Sequence, residues 1–170
     1  EELKHQELFR RIEPMMAEGM PSGYAFPWDP NQVAGSVLKK STWAVMALIY
    51  EIELFTQEHY KKSIEPDANL SELYKDIFLY HWKEEAHHAY VDALEWPRVD
   101  HAMTSSERDK GIDDLIELVS AVDGILQAQS QSDAEYFVHN TDRTFRQKEV
   151  KDIMDSLLKA YRWQYIFSGV

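Results

Sequence analysis

From Ser71 to Trp96 the chain runs without a glycine or a proline, a stretch that suits about seven turns of helix. Its apolar side is not wholly apolar. At about 100° per residue, His81, Glu85 and His88 fall within one narrow arc that also holds Tyr74, Ile77 and Phe78, while Glu84 and His87 rotate away. Two imidazoles and a carboxylate thus point where a core belongs. Ionisable groups in a core are costly unless paired, hydrogen-bonded or bound to a metal. A chain with this helix must bring further ligands or counter-charges to meet it.

The rest of the sequence supplies helices for that purpose. Six glycines, six prolines and almost no alternating segments predict an all-α chain, read as one domain over residues 1–170. A first helix is predicted over Leu3 to Ala17. A Pro- and aromatic-rich connection follows it to Asp29-Pro30, a cap followed by proline at the first helical position. A long helix is then expected from Asn31 to Ser63, and another from Asn69 or Ser71 to Trp96-Pro97. Capping-box spacing at Thr104/Glu107 and Thr144/Gln147 predicts helices over Ser105 to Asn140 and Phe145 to Ser168, with the helical pattern kept to Val170. The expected architecture is a four-helix bundle over residues 31–168 with an additional N-terminal helix and connection over residues 1–30.

Composition narrows the chemistry. Without cysteine, disulfides, iron–sulfur clusters and thiolate zinc sites are excluded, and carboxylate and imidazole remain as the strong ligands, which suit iron or manganese. A net charge of -12 is a poor match to nucleic-acid phosphates, so no nucleic-acid partner is expected. No apolar run long enough to span a membrane and no signal-peptide pattern are found, so a cytoplasmic protein without membrane contact is expected. Because the sequence begins at Glu1 rather than Met, a leader or tail outside it stays open.

Two more carboxylates fall on apolar stripes. Glu53 aligns with Thr42, Met46, Ile49 and Tyr60, whereas Glu51 falls toward the wet side with Glu58 and Lys62. Asp133 aligns with Leu115, Val119, Val122, Leu126, Tyr136 and Phe137, one turn after Gln129, a hydrogen-bond donor to it; Glu135 faces out. Taken singly, each is explained by a hydrogen bond or an ion pair in the core. Together, Glu53, His81, Glu85, His88 and Asp133 make a candidate metal site drawn from three helices. His59 reads as structural, Asp92 as an acceptor for an imidazole N–H, and Trp43, Trp82, Trp96 and Trp163 as packing.

Glu53, then Glu85-x-x-His88, then Asp133 resembles, over about residues 31–168, the ligand order of the ferritin-like diiron-carboxylate superfamily. That superfamily draws a Glu from each of two helices and a Glu-x-x-His from each of two others. Glu84-Glu85-Ala86-His87-His88-Ala89 is similar to the second ligand helix of rubrerythrin-type proteins. The His81-x-x-x-Glu85-x-x-His88 spacing is similar to the ligand helix of diiron arylamine N-oxygenases, where an additional His binds iron.

The last helix departs from the pattern: its inward stripe of Val150, Ile153, Met154, Leu157, Tyr161, Gln164 and Tyr165 holds no Glu-x-x-His. His81 is the candidate to replace the missing histidine. The resemblance implies two irons, with manganese as the alternative, in an oxidoreductase acting with oxygen or peroxide on a small-molecule substrate, and it is compatible with a homodimer. A mononuclear site and a bundle that has lost its metal fit the same residues. So does a non-enzymatic binding or assembly module with a buried polar network, although the inward stripes offer few Lys or Arg partners for one.

Overall fold

Helices begin where the sequence offers a cap. Asp29 accepts the Asn31 backbone N–H at 2.8 Å, just ahead of Pro30, and opens α2 (Pro30–Val37). Ser71 accepts the Tyr74 N–H at 3.2 Å and opens α4 (Glu72–His101), and Thr104 and Glu107 cap one another at the head of α5 (Ser105–His139). In this computed structural model residues 2–169 are described, with α1 (Glu2–Ala17), α3 (Thr42–His59) and α6 (Gln147–Arg162) completing six helices. The chain is all-helical, with no strand among the described residues. Val170, the end of the predicted helical pattern, lies outside them, as does Glu1. No described helix is long and apolar enough to cross a membrane.

Three predicted boundaries are corrected, two by tertiary hydrogen bonds and one by a local cap. The single helix expected over Asn31 to Ser63 is broken between Val37 and Thr42, because buried Asp114 of α5 accepts the Ser41 backbone N–H at 2.9 Å and holds that residue extended. After the break α3 runs on into a π-helical turn at Tyr60–Ile64. α4 continues through Pro97 to His101 because its last turn is held from outside: Asp100 accepts hydrogen bonds from Trp43 Nε1 at 3.1 Å and Arg108 Nε at 2.9 Å. At α6 it is Glu149, not Gln147, that reaches back, accepting the Arg146 N–H at 2.9 Å, so the helix starts at Gln147 rather than Phe145.

Packing puts α3 at the centre, between α4 and α5. The core joins Trp43, Ala44 and Leu48 of α3 to Leu118 of α5, with Trp96, Val99 and Val122 around them. Gly111 is needed there, since a Cβ at that position would stand 2.9 Å from Trp43 Cε3. α6 is clamped to α5 by Arg162 on Asp123, at 2.6 and 2.8 Å, and a second π-helical turn, Trp163–Phe167, returns to α3 through Gln164 Nε2, which donates to the Phe55 carbonyl at 2.9 Å. α1 lies along α4, with Phe9 against Phe78 and His81.

The buried line of α5 is Gly111, Asp114, Leu118, Leu126, Ser130 and Ala134. It shares Leu126 with the predicted stripe, of which Leu115 and Val122 also pack against the core, while Val119 and Phe137 are exposed. Trp163, expected to pack, is exposed as well.

Candidate metal centre

Glu85 is buried in the middle of α4, and both of its oxygens face histidine. On one side, His81 Nε2 of the preceding turn lies 3.1 Å from Glu85 Oε1, and His5 Nδ1, brought in by α1, lies 3.0 Å from the same oxygen. On the other, His88 Nδ1 of the following turn lies 3.2 Å from Glu85 Oε2 and 3.2 Å from Glu2 Oε1 of α1. These are two sets of ligand atoms, His5/His81/Glu85 and Glu2/Glu85/His88, each within 4.8 Å and sharing one carboxylate. The first is enclosed. The second opens outward, since the Glu2 side chain is 68% exposed.

His5 is the most constrained of these groups. It is 3% exposed, and its Nε2 lies 2.6 Å from Glu84 Oε2. Hydrogen bonds from Lys4 and then His5 hold the Glu84 carboxyl down at about 2, so Glu84 is the acceptor and His5 Nε2 carries the proton. In the neutral imidazole Nδ1 is then a bare lone pair. It is buried without a hydrogen-bond partner although Glu85 Oε1 is 3.0 Å away. Two lone-pair atoms at that distance repel one another unless a cation or a second proton lies between them. Burial works against ionisation of Glu85, but the hydrogen bond and charge of His81, then the charges of His88 and of a doubly protonated His5, outweigh it and hold its carboxyl below the ordinary value.

Glu53 of α3 is 6% exposed, and its Oε2 has no partner. Burial, then the negative charges of Asp92, Glu85 and Glu2, push its carboxyl up to about 8, against a smaller opposing effect of His88. Asp92, one turn beyond His88, shares a hydrogen bond with Glu53 and is itself raised, chiefly by burial. A carboxyl kept protonated by burial and by neighbouring carboxylates becomes a strong donor once a cation displaces its proton. Nitrogen and oxygen donors without sulfur therefore surround Glu85, and two unsatisfied buried atoms, His5 Nδ1 and Glu53 Oε2, are the kind a metal ion satisfies.

No family model, curated protein or solved structure matches this chain.

Of the residues the sequence proposed, His81, Glu85 and His88 come together and Glu53 stands within electrostatic reach of them. Asp133 does not join them. It accepts hydrogen bonds from Tyr161 Oη at 2.5 Å and from Gln129 Nε2 at 2.8 Å, the latter as expected, in a separate cavity. Asp133 does face inward, but into the cavity on the far side of α3 from Glu53. His59 remains outside both sets, packed at 6.0 Å from Phe78 and held below its ordinary pKa by burial and then by the charge of His81. The sequence reading passed over Glu2 and His5. Their signal was the spacing Glu2-Leu3-Lys4-His5, a second Glu-x-x-His.

Proposed function

We propose that this protein is an oxidoreductase of ferritin-like type that holds two iron ions between α1, α3 and α4 and activates oxygen or peroxide there. The observation that carries this reading is the buried, unpartnered Nδ1 of His5, facing the same Glu85 oxygen as His81 Nε2. Two imidazoles and a carboxylate converging on one point are the donor set of non-haem iron(II) sites that keep open positions. The second oxygen of Glu85, turned toward His88 and Glu2, supports a second ion sharing that carboxylate.

Two Glu-x-x-His pairs, Glu2/His5 and Glu85/His88, with the lone Glu53, supply most of the ligand inventory of a ferritin-like bundle. In this reading α1, not the last helix, contributes the second pair. Manganese shares the same donor preference and is the alternative ion.

When bound, the ions supply Lewis acidity and electrons for reducing the oxidant. The chain's own groups set the conditions. Glu84 orients His5, Phe9 and Phe78 pack beside His81, and the exposed Glu2 edge leaves an approach from solvent. Protein loaded with iron(II) without air should consume oxygen faster than free iron(II), and Glu85→Gln and His5→Ala should each abolish the excess. Consumption by Glu85→Gln at the wild-type rate would refute the reading.

The competing reading is a non-enzymatic helical module in which His5 is doubly protonated between Glu84 and Glu85. It draws on the hydrogen bond between His81 and Glu85 and on the Lys4–Glu84 ion pair, which already form a closed polar network. Protein that takes up no iron(II) or manganese(II) would favour it.

A further inference from the structure

About 200° around α3 from Glu53, on the opposite side of that helix, Glu51 and Phe55 face a separate cavity of about 520 Å³. It lies between α3, α5, the end of α6 and the connection before α2, a volume in the range of small-molecule sites. Its walls carry the rings of Tyr24, Phe26, Trp28, Phe55 and Tyr165, and no Lys, Arg or His lines it. Two carboxylates do. Asp133 receives only neutral donors, the hydroxyls of Tyr161 and Tyr24 and the Gln129 amide. Glu51 has no ion pair among the described residues, and its Oε1 is buried without a partner against the backbone of Gly169. Burial raises the Glu51 carboxyl, an effect the Gly169 backbone partly offsets, so this group lacks a counter-charge.

An aromatic cavity with two carboxylates and no cation has a definite complement. Aromatic faces attract alkylammonium groups, and a buried carboxylate is stabilised most by a charged donor. We propose that this cavity binds a small organic ammonium ion, its hydrocarbon body among the rings and its N–H donors on Glu51 and Asp133. A carboxylate ligand meets like charges there. A neutral alcohol leaves both acids without a counter-charge. Nothing in the proposal requires a metal at Glu85, because α3 separates the two places.

The test is calorimetric titration of the whole chain, with and without iron(II), using octylammonium, octanol and octanoate below their micelle concentrations. Octylammonium is expected to bind one per chain in both preparations, octanol at least about tenfold more weakly, and octanoate not at all. Glu51→Gln and Asp133→Asn should each weaken octylammonium by about tenfold or more with the helical circular dichroism unchanged. Ile125→Trp, which fills the cavity, should abolish binding. If one acid variant fails to fold, the other carries the same prediction. Equal affinity for octanol and octylammonium would reduce the site to an apolar void. Binding of several molecules per chain, insensitive to Glu51→Gln, would mean surface adsorption. No binding would mean that the cavity takes no ammonium ion. Each of these outcomes overturns the proposal.

Discussion

The tautomer of His5 is set before any metal arrives. With Glu84 held ionised by Lys4 and His5, Nε2 donates to Glu84, and Nδ1 is left pointing at Glu85. Glu84 therefore matters to the centre although it rotates off the α4 arc, a role the helical phase alone did not suggest. Glu84→Gln is expected to weaken metal binding by about 10–100-fold, as losing the hydrogen-bond partner of a ligating histidine does. His87→Ala, on an exposed side chain of the same helix, should leave metal affinity unchanged. Competition with a chelator of known affinity measures both.

Glu53 gives a second prediction at this scale. Its folded pKa, about 8, lies above the ordinary 4.5, so between these values the folded chain holds a proton that the unfolded chain has lost. The stabilisation tied to that proton is complete below about pH 4.5 and is lost as pH rises toward 8. Metal-free protein should thus show a melting temperature that falls across this window, and Glu53→Gln should flatten the fall. A slope unchanged in Glu53→Gln would assign the effect to other groups.

At the scale of the helix, capping chemistry was legible because it is local. Asp29-Pro30, Ser71 and the Thr104/Glu107 pair name their helix starts within four residues of sequence. What was not legible depends on partners distant in sequence. The break before Thr42 needs Asp114, and the turn beyond Pro97 needs Trp43 and Arg108. Hydrophobicity also misjudged α5, whose buried line is made of Gly, Asp, Ser and Ala as well as Leu, residues chosen for close approach and hydrogen bonding. Asp133 faces inward as its stripe suggested, but a stripe does not say which side of α3 it meets, and the cavity it lines lies across that helix from Glu53. The helical phase of α4 held, since His81, Glu85 and His88 do share a face.

α1 is the element whose docking depends most on the ligands it carries. Without metal it is held by buried Ile12, by Phe9 and by the Lys4–Glu84 and His5–Glu84 contacts, and exposed ion pairs contribute at most about 1 kcal/mol. With metal, Glu2 and His5 tie it to α4. Tryptic cleavage after Arg10 or Arg11 should slow by about tenfold or more on iron(II) binding and recover with a chelator, while cleavage elsewhere changes little. Equal rates in both states would show that α1 docks without help from a ligand.

Across the whole molecule, α3 separates two acidic sites of different character. On the Glu53 side, carboxylates meet three imidazoles at close range. On the Glu51 side, carboxylates meet aromatic rings. This division makes the two sites independent in experiment, so Asp133→Asn should leave metal content at the wild-type value. Metal binding to the folded chain alone stabilises it by mass action, by about 2.7 kcal/mol at a hundredfold excess over the dissociation constant, and scanning calorimetry with and without iron(II) should show the rise. The most direct test is a count of ions. Native mass spectrometry of the chain titrated with iron(II) without air should show two ions per chain in the wild type, at most one in His5→Ala and none in Glu85→Gln. No bound iron in the wild type, or two ions retained in Glu85→Gln, would contradict a centre built on a shared Glu85.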